Sequence, residues 1–312
     1  MSGAWALRIF KRYWYMLQIN KSCIMLDLEG LVLTPDEREL LAHPCVYGVI
    51  LFTRNYATKQ QLKELIAGIK SINAALVIGV DQEGGRVQRL RDEFYPLPAA
   101  AEIGKCYDEN PTVAENRLRA LTKINAQELK EVGIDLNFAP VLDLAYGQSK
   151  VIGSRSFHAQ PEVVARLGAI YIQELQRYGV RAVAKHFPGH GYATADSHFA
   201  VAADERDESA IIANDLVPFV AAIANHVDGI MPGHVIYSKV DEMPAGFSSS
   251  WLQKILRQQL KFIGTIFSDD LTMFAASGAG DLSNRVEQAL RAGCDVVLIC
   301  NNRKGVKEII CH

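Results

Sequence analysis

Short apolar runs alternate with longer segments of helical spacing along most of this chain. Eight such runs occur, and in the segments between them apolar residues recur every three or four positions. A run that is apolar almost throughout is typical of a strand buried on both faces of a parallel sheet. The predicted strands are Cys23–Leu28, Gly48–Phe52, Leu76–Asp81, Ile134–Pro140, Val180–Phe187, Gly229–His234, Gly264–Asp269 and Asp295–Asn301.

The segments between the strands carry helix signals. Thr34 precedes Pro35 and two acidic residues, a pattern typical of a helix N-terminus. Further segments place apolar residues on one helical face. These predicted helical segments are Thr58–Ile72, Pro161–Tyr178, Glu208–Asn225, Ser249–Lys261 and Asn284–Ala292.

Eight strands with intervening helices predict a single-domain α/β fold, a (β/α)₈ TIM-type barrel. An open doubly wound sheet is the alternative, but no GxGxxG follows the first strand. We expect residues 1–22 to be an N-terminal extension of unknown role, because charges interrupt the apolar stretch that a secretory signal needs. Residues 23–312 form the predicted catalytic domain, with a short C-terminal end because only 302–312 follow the last strand.

Composition narrows the class of protein. The 312 residues are 49% hydrophobic and 22% charged, with a net charge of -2, which excludes a disordered or coiled-coil chain. This balance lacks the basic field that nucleic-acid binders use. No apolar run reaches the roughly 18 residues of a membrane helix. We therefore expect no nucleic-acid partner and no integral membrane segment.

The six cysteines are dispersed and include no CxxC pair. Cys23, Cys294 and Cys300 fall in apolar runs, which favours buried free thiols over disulfides. Thiols of this kind are typical of a protein in a reducing compartment.

Polar residues follow the ends of several predicted strands. Asp81, Lys185, His186, His234 and Asp269 all stand at such ends. In a barrel these ends meet at one mouth, where active sites lie. A charged group there is costly unless it is paired or used. The pattern therefore predicts a polar active-site pocket.

The stretch KHFPGHG, residues 185–191, is followed closely by Asp196 and His198. In an extended loop a carboxylate two residues from an imidazole can orient it and favour its charged form. Such a pair is a competent general acid/base near neutral pH. Zinc bound by His186, His190 and His198 with Asp196 is the less favoured alternative, because the spacing is not HExxH. We expect no metal and no cofactor.

A second motif is FSDDLTM, residues 267–273. Successive strand side chains alternate in direction, so one of its two acids can point into the mouth. A carboxylate held there could act as a nucleophile and form a covalent glycosyl-enzyme. We favour Asp269 for this role and expect Asp270 to be the N-cap of the next helix.

A third motif is GVDQEGGRVQR, residues 79–89. Its Asp81 and Arg89 offer an acceptor and a fork of donors suited to sugar hydroxyls. Arg155 stands beside another glycine turn and adds a second guanidinium.

Together these motifs resemble glycoside hydrolase family 3, in the family's order and over residues 25–304. More narrowly they are similar to its single-domain bacterial β-N-acetylglucosaminidases (β-hexosaminidases), which act in peptidoglycan recycling. The resemblance implies that Asp269 is the nucleophile and that His198, paired with Asp196, is the general acid/base. It also implies that Asp81, Arg89, Arg155, Lys185 and His186 bind the sugar.

The implied substrate is a muropeptide in which N-acetylglucosamine is β-1,4-linked to 1,6-anhydro-N-acetylmuramic acid. We expect a monomer that acts on this carbohydrate in the cytoplasm. Two other activities on the same site remain open, those of a β-glucosidase and of a phosphorylase that uses phosphate in place of water. An aldolase with a Schiff base at Lys185 and a silent glycan-binding protein are the more distant alternatives.

Overall fold

In a computed structural model, which describes residues 22–193 and 202–310, the chain forms a closed barrel of eight parallel strands with helices around it. The strands follow one another around the barrel in chain order, and the last pairs with the first. This confirms the predicted (β/α)₈ barrel. The strands are β1 Ile24–Asp27, β2 Val46–Leu51, β3 Val77–Val80, β4 Leu136–Asn137, β5 Arg181–Phe187, β6 Gly229–Pro232, β7 Thr265–Asp270 and β8 Val296–Ile299.

The α-helices of the described residues surround this barrel. They are α1 Pro35–Leu41, α2 Lys59–Ile72, α3 Ala100–Glu109, α4 Pro111–Val132, α5 Pro161–Arg177, α6 Glu208–Ala213, α7 Leu216–Ala224, α8 Leu282–Ala292 and α9 Arg303–Ile310. Two short strand pairs lie outside the barrel: Gln82–Gly84 with Val87–Gln88, and Ala202–Asp204 with Val235–Tyr237. None of the described helices is both long and apolar enough to cross a membrane.

Helices α3 and α4 were absent from the elements predicted by the apolar spacing. The signals for α4 are present at its ends rather than along its length. Asn110 accepts a hydrogen bond from the amide of Val113, Pro111 occupies the first turn, and Gly133 ends the helix at φ 92°. Only glycine adopts this left-handed conformation readily, so this helix could have been predicted from its caps.

The prediction of one helix over 208–225 is wrong, because the chain breaks between α6 and α7. Asp215 lies at the break, where its buried carboxylate accepts hydrogen bonds from Arg206 at 2.8 Å and from Tyr146 at 3.0 Å. Pro218 follows in the first turn of α7, a position that needs no backbone N–H donor. These polar contacts and the proline favour a new helix start over a continuous helix.

The helix predicted over 249–261 is a π-helix spanning Ser250–Gln259. At its end, the amide of Leu260 donates to the carbonyl of Ile255, five residues earlier. Apolar spacing predicted a helical segment correctly but does not distinguish this wider hydrogen-bond pattern from the α-helical one.

The interior of the barrel is filled by side chains that alternate along the strands with those facing the helices. The rings of Phe138 and Phe267 meet edge to face, with their centroids 5.5 Å apart. Glycines make room for them, because a Cβ at Gly79 would lie 2.9 Å from the Phe138 ring and one at Gly229 would lie 2.8 Å from the Phe267 ring. The interior is therefore a packed core beneath the mouth of the barrel.

The first and last helices of the described barrel are tied together by a buried ion pair. Arg303 of α9 donates to Glu37 of α1 at 2.9 Å and to the backbone carbonyl of Asp27 at 2.8 Å. Glu37 also completes a capping box with Thr34, as the N-terminal signal of α1 predicted.

The cysteines lie mostly in the interior. Cys294 and Cys300 are free and buried, Cys106 is free and partly exposed, and Cys23 and Cys45 are buried. Cys311 lies outside the described residues.

Candidate active site

A cavity of ≈ 470 Å³ opens at the carboxyl ends of the barrel strands. The predicted site residues within the described chain all line it, namely Asp81, Arg89, Arg155, Lys185, His186 and Asp269. They come from four separate parts of the sequence, so the barrel brings together groups up to 188 residues apart. Active sites lie at this end of (β/α)₈ barrels.

Strand alternation explains how the charged groups reach the cavity. Phe267 belongs to the packed barrel interior, and Asp269, two residues later on β7, points the same way. The same relation holds on β5 between Val183 and Lys185. His186 also reaches the cavity, because the pairing of β5 with β6 shifts register between Lys185 and Phe187.

Four charged groups form a buried network at one wall of the cavity. The Lys185 ammonium lies 2.6 Å from Asp81 Oδ1 and 2.7 Å from Glu83 Oε1. Arg155 donates to both oxygens of Glu83, at 2.8 and 2.7 Å. Burial alone would raise the pKa of Glu83, but the charges of Lys185 and Arg155 outweigh it and hold that pKa well below its usual value.

Lys185 stays charged in this setting. Burial lowers the pKa of its amine, but Asp81 and Glu83 more than offset that effect, so the net shift is upward. Schiff-base chemistry needs an unprotonated amine, which makes an aldolase role for this lysine unfavourable. Glu83 was not among the predicted site residues, although it follows Asp81 by two positions and so could have been placed on the same side.

A buried aspartate orients the histidine of the cavity wall. Asp143 Oδ2 lies 2.7 Å from His186 Nδ1, and its Oδ1 accepts from the backbone amide of His190 at 2.7 Å. Burial raises the pKa of Asp143, but His186 and His190 outweigh it, so the pKa is lowered. The carboxylate therefore remains ionised and fixes the His186 ring with Nε2 toward Arg155, 3.5 Å away.

Asp269 is an ionised carboxylate at the floor of the cavity. Its Oδ1 accepts a hydrogen bond from the amide of Asp270 at 2.8 Å. Burial would raise its pKa, but the nearby His234 and His186 lower it further than burial raises it. An unprotonated oxygen in this position is what a nucleophile requires.

The neighbouring Asp270 has a structural function that differs from the predicted one. Its carboxylate accepts hydrogen bonds from the amide and hydroxyl of Thr272, at 2.9 and 2.8 Å, and from the amide of Cys300 at 3.1 Å. The next helical segment begins only at Phe274, with Met273 at its N-cap. The N-cap prediction for Asp270 is therefore wrong, and the residue joins the ends of β7 and β8.

Arg89 completes the described wall. Its guanidinium lies 3.5 Å from Asp81 Oδ2 and over the ring of Phe52, 5.5 Å from the ring centroid. Arg89 and Asp81 both line the cavity, where they offer N–H donors and carboxylate acceptors side by side. Neighbouring hydroxyl groups of a sugar need both kinds of partner.

His198 and Asp196 lie outside the described residues, so the predicted acid/base pair is not located here. Within the described chain, no group of three or more His, Cys, Asp or Glu side chains could hold a metal ion. Both ring nitrogens of the buried His190 lack a hydrogen-bond partner among these residues.

A family model described as the glycosyl hydrolase family 3 N-terminal domain matches residues 20–311. A protein named beta-hexosaminidase from Hydrogenovibrio crunogenus is 48% identical over 289 residues, covering 92% of this chain and 81% of the relative. A Pseudomonas aeruginosa protein of the same name is 50% identical over 280 residues, covering 90% of this chain and 82% of the relative.

Among solved structures, the chain is similar to NagZ from Neisseria gonorrhoeae in complex with N-trifluoroacetyl-D-glucosamine. The TM-score is 0.89 at 42% sequence identity, covering 93% of this chain and 84% of that one. A family 3 beta-N-acetylglucosaminidase from Paenibacillus sp. is similar at a TM-score of 0.89 and 34% identity, covering 94% of this chain and 56% of that one.

Proposed function

The chain belongs to glycosyl hydrolase family 3, and from this premise we propose that it is a retaining exo-β-N-acetylglucosaminidase. The proposed reaction removes terminal β-1,4-linked N-acetylglucosamine from 1,6-anhydro-N-acetylmuramic acid muropeptides in cell-wall recycling. The observation that carries the proposal is the cavity shared by Asp269, Asp81 and Lys185. The beta-hexosaminidase names of the relatives support the choice of an N-acetylhexosamine substrate.

In the first proposed step, Asp269 attacks the anomeric carbon while His198 protonates the departing glycosidic oxygen. A neutral imidazole cannot be an acid, so His198 must enter this step protonated, and Asp196 would stabilise that charge. The bond to the leaving sugar breaks as the bond from the carboxylate oxygen forms, giving a covalent glycosyl-enzyme.

In the second step, the now neutral His198 removes a proton from water, which attacks the same carbon and releases N-acetylglucosamine. Two displacements give net retention of the anomeric configuration. The lowered pKa of Asp269 supports its role as nucleophile and leaving group, because it remains ionised near neutral pH.

We assign the binding of the sugar to Asp81, Arg89, Arg155, Lys185 and His186. Glu83 and Asp143 position three of these groups, the first through Lys185 and Arg155 and the second through His186. Charges already paired within the protein need little reorganisation when a sugar binds, which favours a preorganised site.

Trapping of the covalent intermediate tests the nucleophile. With a slow fluorosugar of N-acetylglucosamine, we expect Asp269→Ala to abolish the glycosyl-enzyme adduct seen by intact mass spectrometry. Asp270→Ala is the matched control, because the Asp270 carboxylate accepts hydrogen bonds from the backbone amides of Thr272 and Cys300. Peptide mapping that finds the label on Asp270 would reverse the assignment.

Rescue by the leaving group tests the general acid. We expect His198→Ala to lose activity strongly on a disaccharide but less on a nitrophenyl N-acetylglucosaminide, whose leaving group needs little protonation. Equal losses on both substrates would count against the acid role.

Substrate comparisons separate the open activities. We expect hydrolysis of 4-nitrophenyl N-acetyl-β-glucosaminide to exceed that of the glucoside, and mass spectrometry of muropeptide digests to show loss of one N-acetylhexosamine. Turnover that requires added phosphate would favour the phosphorylase alternative.

We also propose a monomer in the cytoplasm in which residues 1–22 take no part in catalysis. The buried thiols of Cys294 and Cys300 support a reducing compartment. Cell fractionation, sedimentation of the purified chain and kinetics of a variant that starts at Ser22 test these three statements separately.

A further inference from the structure

The charges of the cavity are separated between its floor and its rim. The carboxylates of Asp269 and Asp270 lie at the ends of the barrel strands, whereas the exposed Arg86 and Lys150 line the cavity from loops. A ligand held at the floor by Asp269 would therefore extend past two cations on its way out.

Each inner cation of the cavity has a carboxylate partner. Lys185 contacts Asp81 and Glu83, and Arg155 contacts Glu83. Arg89 lies 3.5 Å from Asp81. The three cations share two carboxylates, so each has an acidic partner and the wall keeps a single excess positive charge.

Arg86 and Lys150 differ, because neither has a carboxylate partner within residues 22–193 and 202–310. The guanidinium of Arg86 donates instead to the backbone carbonyls of Val151 and, at 3.4 Å, Lys150. These contacts fix Arg86 against the segment that carries Lys150 and use only neutral acceptors. Among the described residues, no carboxylate contacts its remaining N–H groups or the Lys150 ammonium.

Isolated basic residues on a surface usually serve only to interact with water. Here Arg86 and Lys150 line the same cavity, and Arg86 is hydrogen-bonded to the backbone of residues 150 and 151. Unlike Lys185 and Arg155, they have no carboxylate partner among the described residues. Two cations that line the same cavity both attract an anion that enters it. A planar guanidinium can pair with both oxygens of a carboxylate, and an ammonium adds a second positive donor.

We propose that Arg86 and Lys150 form a binding site for a carboxylate on the leaving group of the substrate. This inference rests on the proposed function, which places the anomeric carbon at Asp269 and so directs the leaving group toward the rim. In 1,6-anhydro-N-acetylmuramic acid without a stem peptide, the lactyl side chain carries such a carboxylate. In a muropeptide this carboxyl is an amide, and the carboxylates are those of the peptide. The site selects anionic leaving groups over neutral ones of the same size.

The test compares two disaccharides that differ only in this charge. One is N-acetylglucosaminyl-β-1,4-anhydro-N-acetylmuramic acid with its free lactyl carboxylate, and the other is its N-methylamide. The readout is the ratio of kcat/KM for the acid to kcat/KM for the amide. We expect Arg86→Gln/Lys150→Gln to lower this ratio about tenfold, since each exposed ion pair contributes a factor of up to about five.

The matched control is Arg117→Gln/Lys105→Gln. It removes one arginine and one lysine that are also exposed, lie on α4 and α3, and do not line the cavity. We expect this control to leave the ratio unchanged. Raising the salt concentration should reduce the wild-type ratio toward that of the cavity variant, because exposed charges are screened.

A second variant guards against a loss that comes from altered loop structure. Arg86→Lys/Lys150→Arg keeps both charges and should retain most of the wild-type ratio. A ratio that stays at the wild-type value in the glutamine variant would overturn the inference, whereas failure of the wild type to cleave either disaccharide would overturn the proposed function itself.

Inorganic phosphate is the other anion that this chemistry could bind. In a parallel assay, phosphate is added to both disaccharides for the wild type and the glutamine variant. Acceleration by phosphate that disappears in the variant, with no change in the acid-to-amide ratio, would assign the rim to phosphate and overturn the carboxylate site. No acceleration supports the carboxylate.

Discussion

At the scale of single residues, Glu83 joins the two buried cations that we assign to sugar binding. It accepts from Arg155 at both oxygens and from Lys185 at one. If Glu83 were neutral, Asp81 would be the remaining carboxylate beside Arg155 and Lys185 in this buried wall. The network is therefore a condition for the shape of the cavity as well as for its charge.

We expect Glu83→Gln to lower the free energy of unfolding by about 3 kcal/mol, as removal of one partner from a buried ion pair does. We also expect KM for a nitrophenyl N-acetylglucosaminide to rise about tenfold, equivalent to about 1.4 kcal/mol of binding. Urea unfolding and steady-state kinetics measure the two effects. Glu162→Gln, at an exposed carboxylate of α5, is the control and should change neither.

Asp215 provides a pH-dependent contribution to stability. Burial raises its pKa to about 6 from the ordinary 3.8 of an aspartate, although Arg206 and Tyr146 donate to one of its oxygens. The folded protein therefore holds this proton more tightly than the unfolded chain does. The resulting stability is full below pH 3.8 and is lost as the pH rises to about 6.

Asparagine at this position cannot ionise, so we expect the stability of Asp215→Asn relative to wild type to grow between pH 4 and pH 7. About two pKa units correspond to roughly 3 kcal/mol. Urea unfolding of both proteins at each pH gives the difference between their free energies of unfolding. Other acidic residues are common to both proteins, so their effects cancel in this difference. A difference that does not change with pH would contradict this account.

Residue types and spacing predicted which groups line the cavity, but not how those groups are held. Asp81, Lys185 and Asp269 were predicted from their positions after buried strands. The contacts of Asp143 with His186 and of Glu83 with Arg155 join residues 43 and 72 positions apart. Contacts of this kind depend on the order of the strands and the conformation of the loops, and neither can be predicted from a local sequence pattern.

At the scale of elements, the period-2 alternation of β5 and β7 determines which side chains face the cavity. The alternation predicted that only one of Asp269 and Asp270 faces the cavity, and the choice of Asp269 came from the resemblance to the family motif. It did not predict that His186 would join Lys185 at the same wall, because that depends on the register shift between β5 and β6. Caps and breaks, rather than apolar spacing, were the missing signals for α4 and for the division of α6 from α7.

Gly191 marks a close approach between the segment after β5 and the segment after β4. A Cβ at this position would lie 1.9 Å from the carbonyl oxygen of Leu144. We expect Gly191→Ala to lower the free energy of unfolding by about 1–3 kcal/mol, as overpacking does. It should also reduce activity, because residue 191 leads into the stretch that carries Asp196 and His198.

The matched control for this prediction is Gly278→Ala, where a Cβ would meet nothing within 4 Å. Thermal unfolding and nitrophenyl glycoside kinetics should both leave this variant close to wild type. Equal effects of the two substitutions would show that steric contact with Leu144 is not the cause.

At the scale of the whole molecule, the barrel closes where β1 pairs with β8, and this seam has its own ion pair. Glu37 is fully buried and contacts Arg303, 266 residues later. The amide of Asn301 also donates to Asp27 at 2.9 Å. The eight-strand pattern predicted closure, but the residues that join the two ends were not identifiable from local sequence.

A double-mutant cycle measures this joint. We expect Glu37→Gln and Arg303→Gln to be coupled by 1 kcal/mol or more in the free energy of unfolding, because the Glu37 carboxylate is fully buried and the Arg303 side chain is only 15% exposed. The matched control pair is Asp36 and Lys307, which joins the same two helices at the exposed surface. Its coupling should be much smaller, since exposed pairs contribute little. Equal couplings would mean that burial of the seam pair has no effect.

The aromatic core under Asp269 makes the cavity a dead end. Phe138 and Phe267 fill the barrel from below, and the described residues leave no passage through it. In the proposed exo reaction, the terminal sugar of the substrate occupies this closed end beside Asp269. The same opening must then admit the substrate and discharge both products in turn, the outer fragment first. N-acetylglucosamine is then the last product to leave the closed end of the cavity. We expect the free sugar to be a competitive inhibitor of the substrate.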